Sequence, residues 1–162
     1  MDAPQTAIWG PRLWNIFHGL VEKSGKNAGK FAVEERRCWM NFMNSIRTCL
    51  PCPVCRKHYN DYFKVARFDE CFAVCGAERR DRLREWFWKF HSAVNTRSGV
   101  VNNIGIDDIR LKYENYSSTQ FNEDRRIVIE QVRLGMFQMW HVREEMMRFV
   151  RTCEELWRAL LV

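Results

Sequence analysis

The sequence has no run approaching the ~18 apolar residues that a membrane-spanning helix requires. Its opening, Met-Asp-Ala-Pro-Gln-Thr, has neither the basic start nor the apolar core of a secretory signal. The first absence excludes a helical membrane protein, and the second leaves nothing that directs export. Sustained period-two alternation is also missing, which removes half-buried strands and predicts an all-α chain. There is no internal repeat, no low-complexity segment and no nucleic-acid-binding motif.

What is present fits one soluble domain with one core. The chain has 162 residues, 46% of them hydrophobic and 28% charged, with a mean hydropathy of -0.44. The net charge of +6 is spread along the chain, with acidic residues interleaved. Its densest basic cluster, Arg79, Arg80, Arg82 and Arg84, reads as the solvated face of a helix rather than as a contact for an acidic partner or nucleic acid. Seven cysteines stand out. In a reducing compartment they point to metal binding or redox catalysis before a structural disulfide framework, and an odd count leaves at least one unpaired.

Helical spacing accounts for most of the text. A first helix is expected from Pro11, suited to an opening turn, to about Lys23, with Leu13, Trp14, Phe17, His18 and Leu20 on adjoining turns. A second spans about Ala32 to Arg47, carrying Cys38, Trp39, Phe42, Met43 and Ile46, and Cys-Leu-Pro-Cys-Pro stops it. Pro53 then starts a third helix through Tyr59 and Phe63, with Cys52 at its cap and Cys55 in its first turn. The fourth, about Ala77 to Asn95, has Leu83, Trp86, Phe87, Phe90, His91 and Val94 as its apolar stripe. Four helices make a bundle. Residues 96–106 are loop-like, and Asp107 caps a short fifth helix with Ile109, Leu111 and Tyr113. Beyond Asn122 runs a long amphipathic stretch through Val132, Met136, Trp140, Met147, Val150, Trp157 and Leu160, with Gly135 its weak point. The expected organisation is a domain over 1–120 and a C-terminal helical extension over 121–162, packed on the same domain or on a partner subunit. Its apolar face reads as an oligomer contact, the alternative being a break near Gly135 and a fold-back.

Chemistry concentrates at Cys52-Pro53-Val54-Cys55, followed by Arg56, Lys57 and His58. A two-residue gap at a helix start lets the sulfurs meet, and the helix dipole with nearby cations favours thiolate. Metal remains open on this segment, because Cys49, Cys52, Cys55 and His58 recur every three residues and Cys71 and Cys75 follow. Elsewhere, Trp9-Gly10-Pro11-Arg12-Leu13-Trp14-Asn15-Ile16-Phe17-His18 and Trp86-Phe87-Trp88-Lys89-Phe90-His91-Ser92-Ala93-Val94-Asn95 each set a Trp four or five residues before a His. Trp14 and His18 share a helix face that could hold a flat heterocycle or simply pack in the core.

Taken in order, WGPxxWxxxH, CxxCRxHY and WxxxxHxxVN resemble the Erv/ALR family of FAD-linked sulfhydryl oxidases over residues 9 to 116. The resemblance implies a four-helix bundle around FAD. It implies that Cys52 exchanges with an incoming dithiol, and that electrons pass from Cys52–Cys55 to FAD and then to oxygen, giving hydrogen peroxide. It places Trp14, His18, Trp86, His91, Val94 and Asn95 on the FAD site, Gly10, Pro11 and Arg12 around it, and His58 and Tyr59 close to the ring. The chain departs from the pattern at Ser92, where the family has Asn, and at Val100 and Val101, where a lysine is expected. Arg97 is the substitute for the phosphate charge. The structural cysteine pair of cellular members has no counterpart, and this slimmer pattern is similar to the branch found in large DNA viruses. Thiol-containing protein substrates, molecular oxygen and a homodimer are the implied partners, with no nucleic acid, no membrane and no metal. The implied location is host cytoplasm and virion, or alternatively the mitochondrial intermembrane space. Cys71 with Cys75 is a candidate shuttle pair, and Cys153 a candidate to reach a partner's Cys52.

Overall fold

In the computed structural model, which describes residues 2–101 and 104–161, the chain is all-α. The helices are α1 (Thr6–Lys23), α2 (Gly29–Cys49), α3 (Pro53–Val65), α4 (Gly76–Arg97), α5 (Ile106–Tyr113), α6 (Ser118–Phe137) and α7 (Arg143–Leu160), with a short 3-10 helix, Phe68–Ala73, between α3 and α4. Of the segment read as a loop, Thr96 and Arg97 complete α4, Ile106 opens α5, and residues 102 and 103 lie outside those described. No described helix is long and apolar enough to cross a membrane.

Helix α1 begins a turn before the expected Pro11, which lies inside it. A proline there removes a donor to the carbonyl of residue 7, at a stretch where Ala7 is exposed. The early turn is held from outside: the backbone N–H of Gln5 donates to Gln131 Oε1 of α6 at 2.7 Å, and Trp9 is buried. Helix α2 stops at Leu50, whose non-helical backbone suits a residue before Pro51. At α5 the N-cap is Gly105 rather than the expected Asp107, two residues earlier, and Asp108 reaches back to accept the N–H of Gly105 at 3.3 Å.

An aromatic layer ties the helices together. Phe17 of α1 meets Phe87 of α4 at 4.9 Å between ring centroids, Trp39 of α2 meets Phe87 at 5.5 Å, and Phe42 of α2 meets Phe149 of α7 at 6.0 Å. The basic cluster of α4 is only in part a solvated face: Arg82 is exposed and pairs with Glu78 at 2.9 Å, but two of the four arginines turn inward. Arg84 is buried and makes a two-pronged pair with Glu22 at 2.7 and 2.8 Å, while Arg79 is buried against Glu35 at 3.8 Å and donates to the carbonyls of Val74 and Ala32. Charge density in the sequence cannot distinguish a solvated arginine from one with a distant acidic partner.

The C-terminal stretch folds back. Helix α6 runs along α1 and α7 along α2, joined by Gln138–Val142, so the unbroken helix is replaced by a hairpin over the chain's own core. Phe121 stacks on Trp157 at 4.2 Å, and Thr152 donates to the Ser45 hydroxyl at 3.0 Å. The break falls near Gly135, as the alternative had it, but two residues beyond: Gly135 itself is buried within α6, and an added Cβ there would meet His141 Cε1 at 2.7 Å. The end comes later, where the N–H of Trp140 donates to Gly135 O and that of Met139 to Met136 O, both at 3.0 Å. This is a Schellman ending, and Met139, with φ of 60°, takes the left-handed position that glycine ordinarily fills. A side chain there costs roughly 1–2 kcal/mol.

Gly135→Ala is expected to destabilise the fold by about 1–3 kcal/mol through overpacking against His141, read as a lower urea midpoint with an unchanged slope. An unchanged or raised midpoint would mean that helix propensity, not the close approach, governs this position.

Candidate active site

The cysteine pair sits where local chemistry puts it. Pro53 occupies the first helical position of α3 and Cys52 is the N-cap, its Sγ accepting the N–H of Cys55 at 3.1 Å. Cys52 and Cys55 are joined as a disulfide with Cα atoms 5.2 Å apart. Cys49 does not join them: it is buried in the core, where desolvation pushes its thiol well up. Among the described residues no three His, Cys, Asp or Glu side chains gather as a metal-ligand set.

The disulfide lies on the wall of a cavity of about 330 Å³, at the lower end of the roughly 300–1,000 Å³ of small-molecule sites. Helix α1 contributes Trp9, Gly10, Leu13, Trp14 and Phe17, α3 contributes Val54, Cys55, His58, Tyr59 and Tyr62, and α4 contributes Phe90, Val94 and Arg97. Tyr59 is anchored by donating to Met43 O at 2.8 Å, and burial holds its phenol protonated. Tyr62 stacks on Phe90 at 4.7 Å. The result is a flat-sided aromatic slot with sulfur on one wall and the Arg97 side chain among its lining groups.

Behind Trp14 lies a second layer. His91 stacks on Trp14 at 3.8 Å with planes 5° apart, and its Nδ1 is 3.1 Å from His18 Nε2. His18 also lies over the Tyr113 ring at 5.2 Å. Burial, with the neighbouring His91 and then Lys112, lowers the His18 pKa to about 3, and burial with Lys112 lowers that of His91 to about 4. Both imidazoles are therefore neutral at pH 7, and their contact is one N–H donated to one lone pair. Trp9 Nε1 and His18 Nδ1 are buried without a protein partner.

Of the residues singled out in the sequence, Cys52, Cys55, Gly10, Trp14, His58, Tyr59, Val94 and Arg97 meet at the cavity. His18 and His91 stand behind it. Trp86 lies in an aromatic knot with Phe68 at 4.9 Å and Phe87 at 5.0 Å, its Nε1 donating to Ala66 O at 2.6 Å. Arg12 turns away to Asp124 at 3.0 Å, Pro11 is exposed, and half-buried Asn95 on α4 is not among the lining residues. Trp9, Leu13, Phe17, Tyr62 and Phe90 line the cavity without having been assigned to the site from sequence. Their signal was the four-residue step Trp9, Leu13, Phe17 beside Gly10 and Trp14 on one helix face.

The remaining cysteines are dispersed. Cys71 is buried in the 3-10 helix and Cys75 is exposed at the N-cap of α4, both free. Cys153 is wholly buried in the core on α7, which leaves it no route to a second chain's Cys52.

The family model described as "Erv1 / Alr family" matches residues 11–122. The chain is 31% identical over 90 residues, 56% of its own length, to "Putative FAD-linked sulfhydryl oxidase 096R" of Invertebrate iridescent virus 3. It is 28% identical over 89 residues, 55% of its length, to "Putative FAD-linked sulfhydryl oxidase 088R" of Frog virus 3 (isolate Goorha). The chain spans about half the length of these curated relatives, 55% in each case. No solved structure matches it. Since the matched span runs from α1 through the CxxC helix and the Trp/His helix α4 into α6, this chain belongs to the Erv1/Alr family.

Proposed function

We propose that the chain is an FAD-dependent thiol oxidase that makes disulfides in protein substrates, its reading resting above all on a disulfide set in the wall of an aromatic slot. The residues present fit such a cofactor. The slot has room for a ring system, its walls are aromatic, and the buried Nε1–H of Trp9 has no acceptor in the protein. Trp14, His58, Tyr59 and Val94 would hold the ring, with His18 and His91 backing Trp14, and Arg97 would offer the phosphates a permanent cation. FAD supplies a two-electron acceptor that returns the enzyme dithiol to disulfide and hands the electrons to oxygen as hydrogen peroxide.

The chain's own part is thiol exchange. A substrate thiolate attacks Cys52 Sγ, the Cys52–Cys55 bond breaks, and its electron pair leaves on Cys55 as thiolate. The first turn of α3 favours that charge, because unpaired amides and the helix dipole point toward it. A second substrate thiolate then attacks the substrate sulfur bonded to Cys52, so that substrate leaves oxidised and both enzyme cysteines are reduced. Stacking on His91 fixes the indole plane of Trp14, and the neutral imidazoles keep net charge away from the slot.

The same reading takes residues 1–120 as the oxidase domain and 121–162 as an addition that dresses it in cis, supported by the fold-back of α6 and α7. Action in the host cytoplasm, with carriage in the particle, rests on both relatives being proteins of large DNA viruses. A homodimer is proposed by family likeness.

Cys55→Ser is expected to retain a yellow cofactor, with absorbance near ~450 nm, and to lose oxidation of dithiothreitol to background; full turnover by this variant would sink the mechanism. His91→Ala should lower the flavin-to-protein ratio of the purified protein and its thermal stability, since bound cofactor stabilises the native state by mass action, and an unchanged ratio would count against the assignment.

Acid should also destabilise the fold in a defined window. His18, His91 and His141 are all held neutral by burial, so below about pH 6.5 the unfolded chain binds more protons than the folded one. Their contribution is whole above that pH and is lost as pH falls toward about 4 for His91 and about 3 for His18. Each such proton sets a slope of about 1.4 kcal/mol per pH unit. Melting temperature should fall steadily from pH 6.5 to 5, less so in His91→Phe, and a flat profile in the wild type would contradict the buried neutral pair.

A further inference from the structure

We propose that the α6–α7 turn is a docking surface for an unfolded, apolar, cysteine-bearing segment of a substrate polypeptide, presenting that segment to Cys52. The inference rests on the oxidase reading and adds a binding determinant outside the span that the family model matches.

The turn is fastened to the disulfide segment from both sides. Arg56, the residue after Cys55, donates from Nη1 to Trp140 O at 2.8 Å and from Nη2 to Leu50 O at 3.1 Å, so one guanidinium joins the turn to the chain entering the CxxC. At Gly135, α6 passes Pro51 so closely that a Cβ would stand 3.5 Å from the proline's. The turn thus lies against the chain on either side of the disulfide.

That surface is apolar where a turn is ordinarily polar. Gln138–Val142 contains none of the Gly, Pro, Asn or Asp that turns use. Met139 is 91% exposed, with Phe137 at 51% and Val142 at 60%, and Val54, between the two cysteines, is 64% exposed. Met139 also holds the left-handed position at the end of α6, where glycine would relieve strain. Strain retained at an exposed apolar residue, on a turn fastened to the disulfide segment, is accounted for by binding rather than by folding. A thioether is the adaptable group that suits a surface meeting many sequences. A docked segment delivers its cysteine as thiolate, the proton going to solvent; the new bond forms to Cys52 Sγ as the Cys52–Cys55 bond breaks and Cys55 leaves with the electron pair.

The test uses the full-length flavoprotein and the double variant Met139→Gly, Val142→Ser. Both changes favour the fold, since glycine suits the left-handed position and serine suits the N-cap of α7 that Val142 occupies. Turnover is measured on dithiothreitol and on reduced, unfolded lysozyme, with mass by light scattering. The expected result is unchanged dithiothreitol oxidation and unchanged mass, with KM for lysozyme raised roughly tenfold and kcat kept. Equal turnover of both substrates by variant and wild type overturns the docking surface and leaves the oxidase reading intact. Parallel loss on both substrates means damage to the disulfide site and also overturns it, and a change in mass assigns the face to a second copy of the chain instead. A wild type that oxidises neither substrate overturns the oxidase reading, and this inference with it.

Discussion

The buried carboxylate of Asp124 joins the two halves of this molecule. It accepts from Arg12 at 3.0 Å and Asn15 at 3.4 Å on α1, and from the Tyr116 hydroxyl at 2.9 Å, while Tyr113 donates to Asn15 at 2.7 Å. A buried charge is tolerated only when paired and hydrogen-bonded, so α1 has one rotation in which Arg12 and Asn15 meet this group. That rotation turns Trp9, Leu13 and Trp14 toward the cavity. The cavity-facing side of α1 is thereby set by a residue of α6, two positions beyond the span of the family match.

The same coupling explains where the sequence was legible and where it was not. The start of α3 was readable because its causes are local: a proline at the first helical position, a sulfur at the cap, and two residues between the cysteines. The start of α1 was not, because the turn before Pro11 is stabilised by Gln131, which lies far away in sequence. Glu22 and Glu35 hide Arg84 and Arg79 for the same reason. In the C-terminal stretch, apolar periodicity placed Val132, Trp157 and Leu160 correctly in the core, but Met147 is exposed, Trp140 falls in the turn, and the reversal itself went unmarked because Gln138–Val142 carries no turn residues. Gly135 signalled a real constraint, of space rather than of helix ending. At the site, the motif spacings brought Trp14, His58, Tyr59 and Val94 to one slot, but could not show that Arg12 would turn to a carboxylate, or that Trp86 would serve an aromatic knot.

The two histidines illustrate how position changes chemistry. In sequence each is one polar residue near a tryptophan; in the fold they form a neutral pair that supports an indole from behind. Their worth to the site lies in shape and in the absence of charge, so neither needs to exchange a proton for Trp14 to keep its plane.

A reactive disulfide exchanges with any thiolate that reaches it, and this chain carries five further cysteines of its own. Four are buried, and desolvation raises Cys38 to about 11, Cys71 and Cys153 to about 12, and Cys49 higher still. Burial insulates them twice, by denying contact and by keeping the sulfur protonated, since the thiol form is a poor nucleophile. Cys75 alone is exposed. On the oxidase reading, folding therefore acts as an electrical insulator around four of the five sulfurs: it leaves Cys75 as the one further thiol open to exchange, and a partly unfolded molecule would short-circuit through the rest.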